Sequence, residues 1–513
     1  MKMKVEESEE LNIMFSGKSI AKNTVYNIMG YGIPMVFAVV FIPFLIKGLG
    51  IERFGILNIV WIVIGYFSFF DFGIGKSLTK VIAEKIGVGK KEQIPGIFWN
   101  SLFLIMVISL IISGILFFLV PSLTSKYFNI SKTLRPEAVY TFYALVVSIP
   151  ILTTTAAVRG VLEAYQKFGV INILRVFLGT FTFLGPIIVL VITNSLFWIV
   201  VFLIFIRSII WVLYLLNSFK INPAIKADFN LNFDFKVIKP VLMMSMWITV
   251  ANIVGPLILY SDRFLIGILI SMAAVTYYAT PFEVVSKLLL LPSALVGVLY
   301  PVFSASFLSK PDISKRLFIR GAKFIFLIIY PIVFLIVVFA REGMTLWLGI
   351  NFAQHSSFIL QLIAIGILFS CISTIPNNYF QGIGKPKIPA ILNSIELPFY
   401  LFSMWFMIEK WGINGAAIVW IFAAVIDTFI NYLIAYKLFG IRFPSSFSAI
   451  SFILMLGVLV IPFFLSSIYL KIIFSAILLF LFMIIAWKYF LSTEEKLFVA
   501  SKYKLVYGLI ITK

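Results

Sequence analysis

The sequence contains little charge and almost none of the residue types that usually carry catalysis or metal binding. Charged residues make up 12% of its 513 residues, with one histidine and one cysteine. A single cysteine excludes an internal disulfide, and no Cys/His cluster offers ligands for a metal ion. A Walker-type phosphate loop is also missing, so ATP hydrolysis by this chain is not expected. We therefore expect neither an enzyme nor a bound cofactor or metal.

Acidic residues are especially scarce, with 21 Asp and Glu against 41 Lys and Arg and a net charge of +20. In a soluble protein this balance would suggest a nucleic-acid partner. Here hydrophobic residues make up 62% of the chain and the mean hydropathy is +1.09. Such a composition is typical of a membrane protein, so we expect membrane lipids as partners and no nucleic acid.

Long apolar segments predict the fold class. A helix needs about 20 apolar residues to cross the hydrocarbon core of a bilayer. Fourteen segments meet this requirement, near residues 22–46, 56–79, 97–120, 138–158, 171–192, 196–216, 240–260, 264–303, 322–340, 358–379, 388–408, 415–437, 446–468 and 471–490. We therefore predict an all-α polytopic membrane protein with about 14 transmembrane helices.

The distribution of Lys and Arg predicts the orientation. Loops on the side of both termini carry roughly three times as many of these residues as the opposite loops. Cytoplasmic loops are the ones enriched in Lys and Arg. We therefore expect a multi-pass protein of the cell membrane, inner or plasma, with both termini in the cytoplasm.

A faint internal repeat predicts the domain organisation. Phe44 in FLIKGLGIERFG corresponds to Phe264 in FLIGILISMAAVTYYA, and Lys167 corresponds to Lys385 at a similar offset. Repeats of six helices enter the membrane from the same face and are related by an axis along the membrane normal. We predict an N-terminal lobe at 1–220, a cytoplasmic linker at 221–239, a C-terminal lobe at 240–440, and two extra helices with a cytoplasmic tail at 441–513.

Five motifs carry a family resemblance. They are GLGIERFGILN (48–58), FFDFGIGKSLTKVIAEKIG (69–87), SDRFLIG (261–267) with YYAT, YPVFSASF (300–307) and WGINGAAIVW (411–420). In this order, and with fourteen spans, the chain resembles the multidrug/oligosaccharidyl-lipid/polysaccharide exporter superfamily. Within it, the closest resemblance is to the polysaccharide transport branch, the O-antigen-type flippases of surface polysaccharide and lipopolysaccharide biosynthesis.

The resemblance implies two six-helix lobes that open alternately inward and outward. It also implies a substrate, an oligosaccharide linked through pyrophosphate to a polyprenyl lipid, which moves from the cytoplasmic to the outer leaflet. A polysaccharide polymerase is a further candidate partner, and we expect the chain to act as a monomer.

Basic residues inside or near the spans are the candidate ligands of the pyrophosphate. A charge at the bilayer centre is costly and is expected to face protein or water, and guanidinium groups match phosphate oxygens. Arg207 is the deepest arginine and the first candidate. Arg175 and Arg159 lie near cytoplasmic ends, where they are equally able to extend to lipid headgroups. Lys287 has Glu283 four residues earlier, which predicts an ion pair as an alternative to substrate binding.

Acidic residues in the spans, Glu283 among them, are candidates for coupling and gating, together with Asp262 and Arg263. Asp71, Glu396 and Asp427 are candidates for proton uptake and release, with hydrogen bonds to neighbouring helices as the alternative. Asp262 and Arg263 are adjacent, so we expect them to point in different directions, near the outer surface. A headgroup contact, a lobe-closing salt bridge and a cavity role stay open for them.

Three functions are compatible with these features. The first is a lipid-linked oligosaccharide flippase, favoured by the basic spans. The second is a cation-coupled multidrug exporter of the same superfamily, which would favour an acidic or apolar cavity. The third is a non-transporting membrane partner of a polysaccharide assembly complex.

Overall fold

A computed structural model describes residues 36–69, 74–227, 235–293, 311–441, 457–465, 467–493 and 495–496 together with residues 34, 295, 296, 299, 303 and 307, some by backbone alone. All regular elements in this part of the chain are helical, which confirms the predicted all-α class. Eight of the described helices are long and apolar enough to cross a membrane. The chain is therefore a multi-span membrane protein.

We number the main helices in chain order. They are α1 (Val36–Leu49), α2 (Ile51–Phe69), α3 (Ile74–Gly87), α4 (Ile94–Ser122), α5 (Arg135–Ala164), α6 (Phe168–Leu190), α7 (Leu196–Ile221), α8 (Phe235–Leu269), α9 (Met272–Val285), α10 (Pro311–Val338), α11 (Ala340–Leu348), α12 (Ile350–Gly382), α13 (Lys387–Phe439) and α14 (Ile468–Ile485).

Two glycines with positive φ mark the breaks between successive helical segments. Gly50, with φ of 81°, separates α1 from α2. Gly412, with φ of 60° and ψ of −143°, kinks α13 between the spans predicted at 388–408 and 415–437. Both backbone conformations suit glycine, which lacks the Cβ that makes positive φ costly.

Several helices extend beyond the predicted spans. The span predicted at 138–158 lies within α5, which runs from Arg135 to Ala164, and α10 begins at Pro311, eleven residues before the span predicted at 322–340. Hydropathy identifies the part of a helix that needs hydrocarbon, whereas the backbone hydrogen bonds continue into polar residues at the membrane surface. The single span predicted at 56–79 corresponds to parts of two helices, since α2 ends at Phe69 and α3 begins at Ile74.

The chain divides into two compact units. Unit 1 comprises Met1–Val284 and Ala390–Val419, and unit 2 comprises Val285–Pro389 and Trp420–Lys513. The lobes predicted from the repeat stay a prediction, since the units describe where packing is dense rather than where a repeat begins.

In unit 1, α5 is the central helix and packs against α2, α3, α4, α6 and α7. Its buried positions are rich in small and hydroxyl residues, among them Thr153, Thr154, Ala156 and Ala157. Small side chains allow helix backbones to approach closely within a membrane protein. The Trp99 indole on α4 donates a hydrogen bond to the Ile225 carbonyl at 2.8 Å and thereby fixes the chain that follows α7.

In unit 2, α12 packs against α10 and α11, and α14 is attached to α10 by aromatic pairs. Phe334 and Tyr330 of α10 lie 5.9 Å and 5.0 Å from Phe474 and Phe482, measured between ring centroids. Residues four apart lie on the same face of a helix, so Tyr330 and Phe334 both face α14.

Two ion pairs also hold α14 and the residues that follow it in unit 2. The Lys471 Nζ lies 2.8 Å from Glu342 Oε1, and the Lys323 Nζ lies 2.6 Å from Glu495 Oε2. The Lys471 side chain is only 5% exposed. This helix is therefore fixed to its unit by charge as well as by apolar contact.

Candidate functional site

Arg207 lies on the packed face of α7. Leu203, Ile206, Ile210 and Tyr214 share this buried face at helical spacing. The guanidinium is 9% exposed and donates from Nη1 to the Leu203 carbonyl at 3.3 Å. Within the described residues no carboxylate lies within 4.0 Å of it. Arg207 therefore carries an uncompensated positive charge inside unit 1, and its role as a substrate ligand stays a prediction.

Arg159 and Arg175 lie on the two helices that neighbour Arg207's helix in unit 1. The Arg159 Nε lies 3.1 Å from Glu163 Oε1, one turn further along α5. The Arg175 Nη1 on α6 donates to Asn172 Oδ1 at 3.4 Å. Both arginines act electrostatically on Tyr214 of α7. Because Tyr214 is two turns beyond Arg207 on the same buried face, α5, α6 and α7 bring the three arginines into one region, which we call the arginine cluster.

Glu163 is a member of this region that the sequence analysis missed. Thr79 of α3 donates to the Gly160 carbonyl at 3.2 Å and to Glu163 Oε2 at 3.4 Å. A Cβ at Gly160 would lie 2.9 Å from the Gly75 carbonyl oxygen, so glycine permits this approach of α3 to α5. The spacing of four residues from Arg159 is the sequence signal that predicts such a pair.

Asp262 and Arg263 require a correction. We expected them to point in different directions near the outer surface. Instead their side chains are 0% and 1% exposed, and Arg263 Nη1 lies 3.5 Å from Asp262 Oδ1. Their burial leaves no access for a lipid headgroup, one of the three roles left open, and the salt-bridge and cavity roles stay predictions. Adjacent side chains diverge at Cβ, but arginine is long enough to fold back along the helix, where Nη1 also donates to the Leu259 carbonyl at 3.1 Å.

Aromatic rings enclose this pair within unit 1. The Arg263 guanidinium carbon lies 4.3 Å from the centroid of the Phe282 ring and 5.5 Å from that of Tyr260. Glu283, one residue after Phe282, acts electrostatically on Arg263. Glu396 of α13 acts in the same way on the buried Tyr400 hydroxyl. The structure thus brings four predicted coupling residues, Asp262, Arg263, Glu283 and Glu396, into one part of unit 1.

Lys287 occupies a different local geometry from the one predicted. Glu283 lies near the C-terminus of α9, and Lys287 lies in the 3₁₀ turn Ser286–Leu289 that follows. A spacing of four residues places side chains on one face only in an α-helix, because a 3₁₀ turn has three residues per turn. The ion pair between them stays a prediction.

Asp427 belongs to a hydrogen-bonded network between α12 and α13 in unit 2. Its Oδ2 accepts a hydrogen bond from Ser373 Oγ at 2.6 Å, and its Oδ1 accepts one from Asn431 Nδ2 at 2.8 Å. Asn377 Nδ2 donates to Ser373 Oγ at 3.3 Å. The sequence analysis missed these three polar partners, although Asn431 follows Asp427 by one turn. Asp71, the remaining candidate, lies outside the described residues.

Comparison with known proteins identifies the family. Residues 20–307 match the family described as "Polysaccharide biosynthesis protein". A protein of Shigella flexneri described as "Putative O-antigen transporter" is 30% identical over 412 residues, which cover 80% of this chain and 96% of that protein. The chain belongs to the polysaccharide biosynthesis protein family. The resemblance inferred from the five motifs is thereby confirmed.

Solved structures place this polysaccharide biosynthesis protein in a transporter fold. One is an inward-facing MATE multidrug resistance transporter of the MOP superfamily, with a TM-score of 0.66, 13% identity, and coverage of 80% of this chain and 98% of that one. Another is the lipid II flippase MurJ in an inward closed conformation, also with a TM-score of 0.66, at 14% identity and coverage of 90% and 97%. At such low identity these likenesses establish the fold alone.

Proposed function

We propose that this protein is a flippase that moves a polyprenyl-pyrophosphate-linked oligosaccharide across the cell membrane by alternating access. The observation that carries the proposal is the arginine cluster in unit 1, in a family whose relatives include an O-antigen transporter. A pyrophosphate cannot enter hydrocarbon without compensation of its charge, and a buried guanidinium supplies charge and directed donors together.

Whether an arginine has a carboxylate partner determines the role that we propose for it. Arg207 has no carboxylate partner among the described residues, so its charge is available to a substrate. Arg159 is paired with Glu163, which leaves it a weaker attraction for an anion. Arg159 lies near the C-terminal end of α5 and Arg175 near the N-terminal end of α6, the next helix, so Arg175 extends the positive region toward the predicted cytoplasmic side. Arg207 is therefore the principal ligand, and Lys287 is an additional candidate in unit 2.

The remaining parts of the proposal concern the setting of transport. We place both termini in the cytoplasm, and the lobes at 1–220 and 240–440 are the bodies that alternate. The protein acts as a monomer without catalysing a chemical reaction, and a polysaccharide polymerase is a candidate partner on the outer side. Asp71, Glu396 and Asp427 are the candidates for coupling to protons.

Reconstitution in liposomes tests the proposal. A polyprenyl-pyrophosphoryl oligosaccharide is placed in one leaflet, and its appearance in the other is followed with a membrane-impermeant glycosidase. We expect Arg207→Ala to slow flipping roughly 10- to 100-fold, the loss associated with one charge-assisted hydrogen-bonding partner. Arg207→Lys keeps the positive charge but lacks the planar guanidinium that binds two oxygens at once. It should therefore recover part of the flipping rate.

Arg341→Ala is the matched control, because this arginine is exposed on α11. It should flip at the wild-type rate. Wild-type flipping by Arg207→Ala would reject Arg207 as the principal ligand. Failure of the wild-type protein to flip any lipid-linked sugar, with active export of organic cations, would replace the flippase by the multidrug exporter.

A further inference from the structure

Buried polar atoms without a hydrogen-bond partner are concentrated on α8, α9 and α13 of unit 1. They include Asp262 Oδ2, Arg263 Nε and Nη2, and the hydroxyls of Tyr278 and Tyr400. These four side chains are 0%, 1%, 0% and 3% exposed. Buried polar groups in folded proteins are nearly always hydrogen-bonded, and each one left unpaired is costly. This concentration on three helices, α8, α9 and α13, therefore indicates a site for a polar ligand.

The four groups are close enough to act together. The Tyr278 hydroxyl lies beside the Asp262 carboxylate without a hydrogen bond of good distance and angle between them. Tyr400 acts electrostatically on Tyr278, and the charges of Asp262 and Arg263 act on both hydroxyls. We call these four side chains the hydroxyl site.

Arg263 determines the direction from which a ligand binds. Its Nη1 is already used by the Leu259 carbonyl and by Asp262, and its faces lie against Phe282 and Tyr260. The two unpaired nitrogens, Nε and Nη2, form one edge of the planar guanidinium. Two parallel N–H groups on one edge bind two neighbouring oxygen atoms at once.

Charge decides between an anion and a neutral ligand. The Arg263 guanidinium already has a counter-ion, because its Nη1 lies 3.5 Å from Asp262 Oδ1. A phosphate at this site would therefore be repelled by the Asp262 carboxylate. A phosphate without a proton would also leave Asp262 Oδ2 unpaired, because it has no hydrogen to donate.

A sugar matches both requirements. Each hydroxyl donates one hydrogen bond and accepts others, so neighbouring hydroxyls can accept from the Arg263 edge and donate to Asp262 Oδ2. The Tyr278 and Tyr400 hydroxyls can pair with further oxygens of the same ring. The sugar hydroxyls are uncharged, so the Asp262 carboxylate does not repel them.

We propose that Asp262, Arg263, Tyr278 and Tyr400 form a binding site for the hydroxyl groups of the saccharide, separate in chemistry from the arginine cluster that holds the pyrophosphate. This inference rests on the proposed flippase function. Because the four side chains are enclosed, the sugar reaches them only in a conformation in which α8, α9 and α13 have moved apart. The hydroxyl site binds the glycan, whereas Arg207 binds the pyrophosphate linkage that all such lipids share.

Binding measurements with two lipids test the proposal. The purified full-length protein is titrated with polyprenyl pyrophosphate, which has no sugar, and with a polyprenyl-pyrophosphoryl oligosaccharide. We expect wild type to bind the glycosylated lipid more tightly. Tyr278→Phe and Tyr400→Phe should each weaken that binding about three- to tenfold, the value of one hydrogen bond, and leave binding of the sugarless lipid unchanged. Arg207→Ala should weaken binding of both lipids.

Thermal stability separates a ligand site from a structural role. Each of the two hydroxyls is unpaired in the protein, so Phe at either position should leave the melting temperature unchanged or raise it. A fall in melting temperature, with the preference for the glycosylated lipid retained, would assign these tyrosines to the structure and overturn the proposal. Tyr330→Phe, a buried tyrosine of unit 2, is the matched control and should not alter the preference.

The remaining outcomes are distinguishable. Equal affinity of wild type for both lipids, or equal weakening of both by the tyrosine variants, would overturn the hydroxyl site while leaving the flippase intact. Absence of binding to either lipid by wild type would instead remove the flippase function on which the site depends.

Discussion

Buried charges are compensated in three different ways at Arg207, Arg263 and Asp427. Arg207 uses a carbonyl of its own helix and has no counter-ion within the described residues. Arg263 has Asp262 at 3.5 Å and two aromatic rings. Asp427 accepts hydrogen bonds from a serine and an asparagine. A charge with no counter-ion is costly unless a ligand supplies one for part of the cycle, which makes Arg207 the strongest candidate for pyrophosphate.

At the same scale, Asp427 is one of the residues that we propose to couple transport to protons. Protonation would remove its negative charge and weaken the hydrogen bonds that Ser373 and Asn431 donate to it. We expect Asp427→Asn to flip lipid-linked oligosaccharide at a rate that no longer depends on a pH gradient across the liposome membrane. Ser373→Ala keeps the carboxylate and should retain the dependence. A gradient effect that persists in Asp427→Asn would remove this residue from coupling.

At the scale of helices, close approach between α2 and the start of α9 is the most sequence-dependent contact in unit 1. A Cβ at Gly55 would overlap the Met272 carbonyl oxygen. Beside it, Thr276 Oγ1 donates to the Ile51 carbonyl at 2.6 Å. Backbone atoms cannot move aside as a flexible side chain can, so this contact requires glycine.

Gly55→Ala should therefore destabilise the protein by about 1–3 kcal/mol, the cost typical of overpacking. Gly65→Ala is a control on the same helix, because a Cβ there meets nothing within 4 Å. It should be neutral or stabilise by up to about 1 kcal/mol, since alanine favours helix over glycine. Thermal unfolding in detergent measures both. Equal melting temperatures for the two variants would contradict the close approach.

At the scale of the whole molecule, the orientation in the membrane follows from charge alone. The excess of Lys and Arg in alternate loops predicts that both termini are cytoplasmic. A C-terminal fusion to green fluorescent protein should therefore fluoresce, and a C-terminal fusion to alkaline phosphatase should be inactive. Active phosphatase at the C-terminus would reverse the predicted topology, together with the direction of transport inferred from it.

The division of the chain into compact units is harder to predict from the sequence than the orientation in the membrane. The repeat predicts a second lobe beginning at 240, whereas unit 1 extends through Val284 and includes Ala390–Val419. The contact of Gly55 with Met272 joins α2 to the start of α9 within this unit. Compact units reflect side-chain packing, whereas a repeat reflects similarity between segments of the sequence, so the two need not share boundaries.

The sequence by itself determined the solvent, the fold class and the family. A helix in hydrocarbon must satisfy every backbone hydrogen bond internally, so long apolar segments specify helices whatever their neighbours are. The family was readable for a related reason, because its motifs are local strings such as SDRFLIG. Both properties depend on residues that are close together in the sequence, so they can be predicted without the tertiary structure.

Only the tertiary structure decided which charged groups meet. Arg159 and Arg175 lie on different helices from Tyr214, and nothing in the sequence predicts that both act on it. Tyr278 and Tyr400 became candidates only when their buried hydroxyls were found without partners beside Arg263. Such groups form where helices that are distant in the sequence pack together. The lengths of the side chains and the small residues at the contacts set the distances there, and local sequence patterns do not predict them.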